Sequence, residues 1–238
     1  MRASIIVAVV GLTLLAGCGA AADDPRTLAR RAKPSPSAAT ASTAPALERD
    51  AVAARARAAV PKPDAYRSLG LPSTYEREEY DDSYATTDAC NMTVVGENKL
   101  SHVAHAVTWQ ASNLFLSHLV HGYTRLAGKD AVEAVRRNAT NCTTWTVRYT
   151  DGEATFTAIE TFDVGPVTAG AEASYAACYR ELFTDSGNEW VYCTAYVAKG
   201  PLVARVSLTT YDKGTSTARA RAKLNQALPV AVAALAAA

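Results

Sequence analysis

Residues 145–159 read Trp-Thr-Val-Arg-Tyr-Thr-Asp-Gly-Glu-Ala-Thr-Phe-Thr-Ala-Ile. Two runs rich in aromatic and β-branched residues flank Asp151-Gly152. An Asp-Gly pair in that setting is a strong hairpin signal, because the tight turn needs positive φ at both central positions. A two-residue turn there is expected to set Trp145, Val147 and Tyr149 opposite Ala158, Phe156 and Ala154, with Thr and Arg on the other face. The result is an antiparallel sheet with one buried face.

The alternation continues on both sides. Downstream, Ala173–Leu182, Trp190–Ala198 and Leu202–Tyr211 read as strands, with turns at Asp185-Ser186-Gly187-Asn188 and Lys199-Gly200-Pro201. Upstream, His102–Trp109 and Leu114–Tyr123 carry alternating apolar residues (Val103, Val107, Trp109; Leu114, Leu116, Val120) and read as two strands. A helix competes for residues 113–126, since Phe115, Leu119, Tyr123 and Leu126 also fall at helical spacing. Lys129–Asn138 reads as a helix, and Thr215 or Ser216 can cap a last helix through Leu228, where Pro229 is expected to interrupt it. The fold class is therefore α+β: an antiparallel β-sheet with two or three helices.

Five cysteines are present. A turn centred between Asp185 and Ser186 puts Cys178 opposite Cys193 on one face, which leaves Cys90 to pair with Cys142. Two disulfides are thus expected to brace the sheet, as suits an exported protein. The fifth, Cys18, follows a short apolar run from Ile5 to Leu15 and closes Leu15-Ala16-Gly17-Cys18. That run has the form of a secretory signal and is shorter than the ~20 residues a membrane span needs. The tetrapeptide resembles the bacterial lipobox, in which the Cys thiol is diacylated and becomes the mature N-terminus. The lipid bilayer is then the first partner, reached through Cys18, and the chain sits on the extracytoplasmic face of the cell membrane.

Three segments follow: residues 1–17 as lipoprotein signal peptide, 18–63 as a disordered Ala/Pro/Ser/Thr-rich tether, and 64–238 as the folded domain. Residues 18–63 hold no aromatic residue and few large aliphatics, so they bury too little apolar surface to offset ordering, although an Ala/Arg helix is possible over Ala46–Ala59. An acidic run, Glu76-Arg77-Glu78-Glu79-Tyr80-Asp81-Asp82, reads as a solvated loop. Of 24 Lys and Arg, Arg2 lies in the leader, which leaves 23 against 23 Asp and Glu. A mature charge of zero argues against a nucleic-acid partner.

Taken together, a lipobox, an Ala/Pro/Ser/Thr tether, Cys90, the strand Val107-Thr108-Trp109, a strand ending in Tyr123, an Ala-rich helix, Asn141-Cys142-x-x-Trp145 and an Asp-Gly hairpin resemble the PknH-like extracellular sensor domains. These occur on actinobacterial receptor Ser/Thr kinases and as stand-alone lipoproteins. Over residues 64–238 the resemblance implies an α+β fold with a disulfide-braced sheet and a cleft for an extracellular ligand. With no kinase domain or transmembrane helix in the sequence, any signalling is expected to pass through another protein.

All four His lie within twenty residues: His102, His105, His118 and His121. If the two strands pair so that residue numbers sum to 223, around a turn at Ala111-Ser112, His105 faces His118 and His102 faces His121, each pair on its own sheet face. His105 and His118 are then candidate metal ligands or a proton-sensitive pair, with no third ligand identifiable; the bland alternative is ordinary strand residues. A single helix over 113–126 would separate them. Trp109, Tyr123, Trp145 and Trp190 are candidates to line a ligand cleft, the alternative being core. Gly-x-Ser-x-Gly, His-Glu-x-x-His and Gly-rich phosphate loops are absent from the sequence. The expectation is a non-enzymatic lipoprotein without a cofactor that binds an extracellular small molecule or envelope component, or else an envelope interaction or structural protein without a pocket.

Overall fold

The computed structural model describes residues 47–80, 102–149, 152–211, 214 and 216–238. The strands are β1 (Arg77–Tyr80), β2 (His102–Ala111), β3 (Leu114–Tyr123), β4 (Thr144–Tyr149), β5 (Gly152–Thr161), β6 (Ala173–Phe183), β7 (Glu189–Lys199) and β8 (Leu202–Thr210). Three α-helices accompany them: α1 (Arg49–Ala58), α2 (Gly128–Asn141) and α3 (Thr217–Ala237). Among the described residues they form one eight-stranded antiparallel sheet in the order β1-β2-β3-β8-β7-β6-β5-β4. The α+β reading holds.

Chain order explains that strand order. From β3 the chain crosses the sheet as α2 to the far edge, then meanders back through β4, β5, β6 and β7 until β8 meets β3. Helix α2 accordingly lies over β6, β7 and β8 on one face. There Ala131, Val132 and Val135 bury against Tyr123, Ala177, Tyr196 and Val203. The opposite face carries α1 on β2 and β3, and α3 on β7 and β8, around Leu116, Val120, Val197, Val206 and Leu208.

Central strand β3 settles the competition over 113–126. Sandwiched between β2 and β8, it buries Leu116, His118 and Val120 on one face and Leu119, His121 and Tyr123 on the other. A strand covered on both sides is apolar almost continuously, which is how it mimics helical spacing.

Registers agree with expectation in one hairpin and depart from it in two. Cys178 faces Cys193 across β6 and β7 as expected. In β2–β3 the pairing is Ala111 with Leu114 and His105 with Val120, so the turn is Ser112-Asn113 and not Ala111-Ser112. Asn accepts the left-handed conformation a tight turn demands, whereas Ala does not. In β4–β5, Trp145 faces Phe156 and Val147 faces Ala154, with Gly152 paired to Tyr149 instead of forming the turn. Gly152 is needed for another reason: its φ of 147° is one that L side chains rarely adopt. Both slips are of two residues, so each side chain keeps its face.

Three further expectations are corrected. The core does not begin at residue 64, because α1, inside the segment read as a tether, buries Val52, Ala56 and Ala59. Val52 sits over Gly122, where a Cβ would come within 2.5 Å of Val52 Cγ1. Part of the acidic run is not loop: Arg77–Tyr80 is an edge strand on β2, and its charged residues suit an edge. Finally, Pro229 does not end α3, which runs to Ala237 with Pro229 exposed while Leu228, Ala231 and Leu235 stay buried. The helix begins as expected, with Ser216 Oγ accepting the Arg219 N–H at 3.3 Å.

Candidate functional site

A groove opens where β5 leaves the sheet. A bulge between Ala158 and Glu160 turns this strand, and its pairing with β6 stops at Thr161 opposite Ala177. The Phe162 N–H still donates to the Ala176 carbonyl at 3.1 Å. The chain then swings off at Asp163, whose Oδ1 accepts the Gly165 N–H at 2.7 Å. This closes an Asx-type turn into the short 3-10 segment Gly165–Val167.

The next carbonyl along the vacated β6 edge, that of Ser174, is taken by Arg136 Nη2 from α2 at 2.6 Å. Between these walls lies a cavity of about 450 Å³. Arg136 and Thr140 line it from α2, Thr161 and Asp163 from the end of β5, and Ser174 and Tyr175 from β6. The Thr168 hydroxyl is buried behind, donating to the Val164 carbonyl at 2.9 Å and lying 3.3 Å from Ser174 Oγ, so it braces the far wall. Arg136 also lies 3.5 Å from Glu133 on its own helix, both side chains roughly half exposed. The groove thus joins a guanidinium, a carboxylate and several hydroxyls, all of which recognise ligands by hydrogen bonding and charge. The sequence reading placed Arg136 on a helix and did not single out Asp163. The local signal was Asp163-Val-Gly-Pro166, a turn pattern that says nothing of what it faces.

None of the four aromatic candidates lines this groove. Trp109 is fully buried on the α1/α3 face, where Nε1 donates to the Pro63 carbonyl at 2.8 Å and Tyr66 and Tyr75 meet the ring edge to face. Tyr123 is buried under α2 on the opposite face. Trp145 stacks on Phe156 at 5.0 Å and meets Tyr179 edge-on at 4.9 Å. Trp190 lies between Phe183 and Tyr211, each ring 4.7 Å away. Burial first, and then the charges of Glu181 and Glu76, push the Tyr211 hydroxyl up to about 12. With Trp109 on one face and the others spread along the second, the four are not gathered into one cleft.

The histidines divide between the two faces, as their odd spacing requires. His105 and His118 share the α1/α3 face but stand diagonally, since His105 faces Val120 while His118 faces Val107 and Val206. His118 is wholly buried, with Nδ1 2.6 Å from Tyr66 Oη. Desolvation holds its imidazole down at about 3 and raises the Tyr66 phenol, so both are neutral. His121 is buried on the other face, opposite Ala104 and Val203. Among the described residues no group of three or more His, Cys, Asp or Glu could hold a metal ion.

One complete disulfide is seen among the described residues, Cys178–Cys193, wholly buried in the α3 face. Cys142 is also disulfide-bonded, while Cys90 and Cys18 lie outside the described residues. No described helix is long and apolar enough to cross a membrane.

No protein-family model matches the sequence, and no curated protein is similar to it. Among solved structures, the extracellular domain of PknH from Mycobacterium tuberculosis is similar over 80% of this chain and 97% of its own, at 11% identity and a TM-score of 0.46. An uncharacterised protein from Mycobacterium smegmatis is similar over 71% of this chain and 83% of its own, at 10% identity and a TM-score of 0.32.

Proposed function

We propose that the chain is an extracytoplasmic lipoprotein, anchored through diacylated Cys18, whose domain binds a small molecule or envelope fragment without transforming it. The groove between α2, the end of β5 and the start of β6 carries this reading. Its volume of about 450 Å³ falls within the 300–1,000 Å³ usual for ligand sites. Polar groups converge there on a floor of half-buried and buried residues. The Leu15-Ala16-Gly17-Cys18 motif supports anchoring. The buried Cys178–Cys193 bridge suits an oxidising compartment, and we assign Cys90 as the partner of Cys142.

A competing reading, an envelope interaction protein without a ligand, draws on Ile159 and Leu182, which are exposed on neighbouring strands β5 and β6. Native mass spectrometry of the full chain, recovered from its membrane under mild conditions, separates the two. A reproducible adduct of defined mass is expected. Repeated preparations with no adduct overturn the ligand reading, and a Cys18→Ala chain that stays with the membrane overturns the anchor.

A further inference from the structure

We infer that the groove takes a zwitterionic ligand, an α-amino acid or a peptide of two or three residues. Its carboxylate would be bound by Arg136 and its ammonium group by Asp163. This rests on the reading of the groove as the binding site.

The two charges belong to separate walls. Arg136 is fixed on α2, and its Nη2 bond to the Ser174 carbonyl holds the side chain across the vacated strand edge. A guanidinium has five N–H donors, and that bond uses one. The contact with Glu133 is a half-exposed pair within one helix turn, which competes weakly with a carboxylate held in a planar fork. Asp163 is fixed on the opposite wall by the Gly165 N–H at Oδ1. No Lys or Arg pairs with it among the described residues. One hydrogen bond leaves most of the acceptor sites of a carboxylate open to an ammonium group.

The hydroxyls add selectivity for polar ligands over apolar ones. Thr140 donates to the Arg136 carbonyl, and Thr168 to that of Val164. The Thr140 oxygen, its hydrogen already given to Arg136, therefore keeps its acceptor lone pairs for a peptide N–H or an ammonium group. Size agrees as well. A sphere of 450 Å³ is about 10 Å across, and at ~3.3–3.6 Å per residue the charged ends of a dipeptide or tripeptide fit within it. A simple anion would leave Asp163 unanswered, and a simple cation would leave Arg136 so.

Calorimetric titration of the full chain with glycine, L-alanine, L-glutamate and L-alanyl-L-alanine tests this. Blocked partners N-acetyl-L-alanine and L-alaninamide, together with glucose and inorganic phosphate, serve as comparison ligands. At least one zwitterion is expected to bind, with each blocked partner about 10- to 100-fold weaker, the loss of one charge-assisted hydrogen bond. Arg136→Ala is expected to erase the preference for a free carboxylate, and Asp163→Ala the preference for a free ammonium group. Equal binding of L-alanine and its blocked forms overturns the inference. So does binding of glucose or phosphate alone in a manner lost in Arg136→Ala; that outcome would keep the groove as a site. If no probe binds and no adduct copurifies, the groove reading falls too.

Discussion

Placing an alanine at Gly122 tests whether α1 belongs to the folded domain. Gly122 lies on β3 beneath α1, and a Cβ there would stand 2.5 Å from Val52 Cγ1, 3.1 Å from Val103 Cγ2 and 3.3 Å from Leu202 Cδ2. Replacing Gly by Ala in a strand otherwise gains about 0.5–1 kcal/mol of backbone entropy. The clash with Val52 opposes it by about 1–3 kcal/mol, the usual range for overpacking a core. Gly122→Ala alone should therefore destabilise. Val52→Ala alone removes two buried methyl groups and should cost roughly 1–3 kcal/mol. In the double variant the offending methyl is gone, and the new Cβ partly fills the space. Adding Gly122→Ala to the Val52→Ala background should be neutral or stabilising, a coupling of about 1–3 kcal/mol. Urea unfolding of all four proteins, followed by tryptophan fluorescence, measures the cycle. Equal effects of Gly122→Ala in the two backgrounds, to within about 0.5 kcal/mol, would show that α1 is not seated there.

Three more outcomes are expected. His118 has a native value near 3 and an unfolded value near 6.5, so the native state binds fewer protons between those limits, and stability falls as pH drops through that window, by about 5 kcal/mol at most. Its neighbours on that face are neutral Tyr66 and the diagonal His105, and pH-dependent unfolding of His118→Phe should show a flatter acid limb. Tyr66→Phe leaves His118 Nδ1 buried without its hydroxyl partner and should cost about 1–3 kcal/mol in urea, with little change in m-value. Replacing Cys178 and Cys193 together by Ala should lower stability by roughly 3 kcal/mol, the chain-entropy figure for a loop of about 15 residues, with thermal unfolding as the readout.

Strands were legible wherever one face met solvent or a turn announced itself. Cys178 and Cys193 were aligned correctly because Asp185-Ser186-Gly187-Asn188 confines the turn. The other two hairpins slipped by two residues because their turn residues compete: Ser112-Asn113 with Ala111-Ser112, and Asp151-Gly152 as a turn with a glycine wanted for its positive φ inside β5. Helix α1 was visible only as a weak Ala/Arg pattern. Its burial depends on three small apolar residues, Val52, Ala56 and Ala59, and on a glycine seventy residues away in β3, a relation that composition does not carry. The aromatic residues drew notice as ligand contacts, yet Trp109 and Tyr123 are core, because large rings fill space between helix and sheet more often than they line a groove. The groove itself depends on where β5 stops pairing. That is set by a bulge and a turn, and it brings Arg136 to Asp163 without any sequence spacing between them.

The place of β8 has a consequence for how the chain is completed. The segment from β4 to β7 consists of hairpins that can form one after another, and β2–β3 is a hairpin of its own. Only β8 joins the two halves, with Leu114 paired to Thr210 on one side and Cys193 facing Leu208 on the other. Until it arrives, both β3 and β7 present long apolar edges able to recruit a stranger. The slow step should be this last closure, since the stretch between Tyr123 at the end of β3 and Leu202 at the start of β8 is the longest that separates any two paired strands of the sheet. A chain cut short before residue 202 is not a slightly shorter version of the domain but two separate half-sheets prone to aggregate.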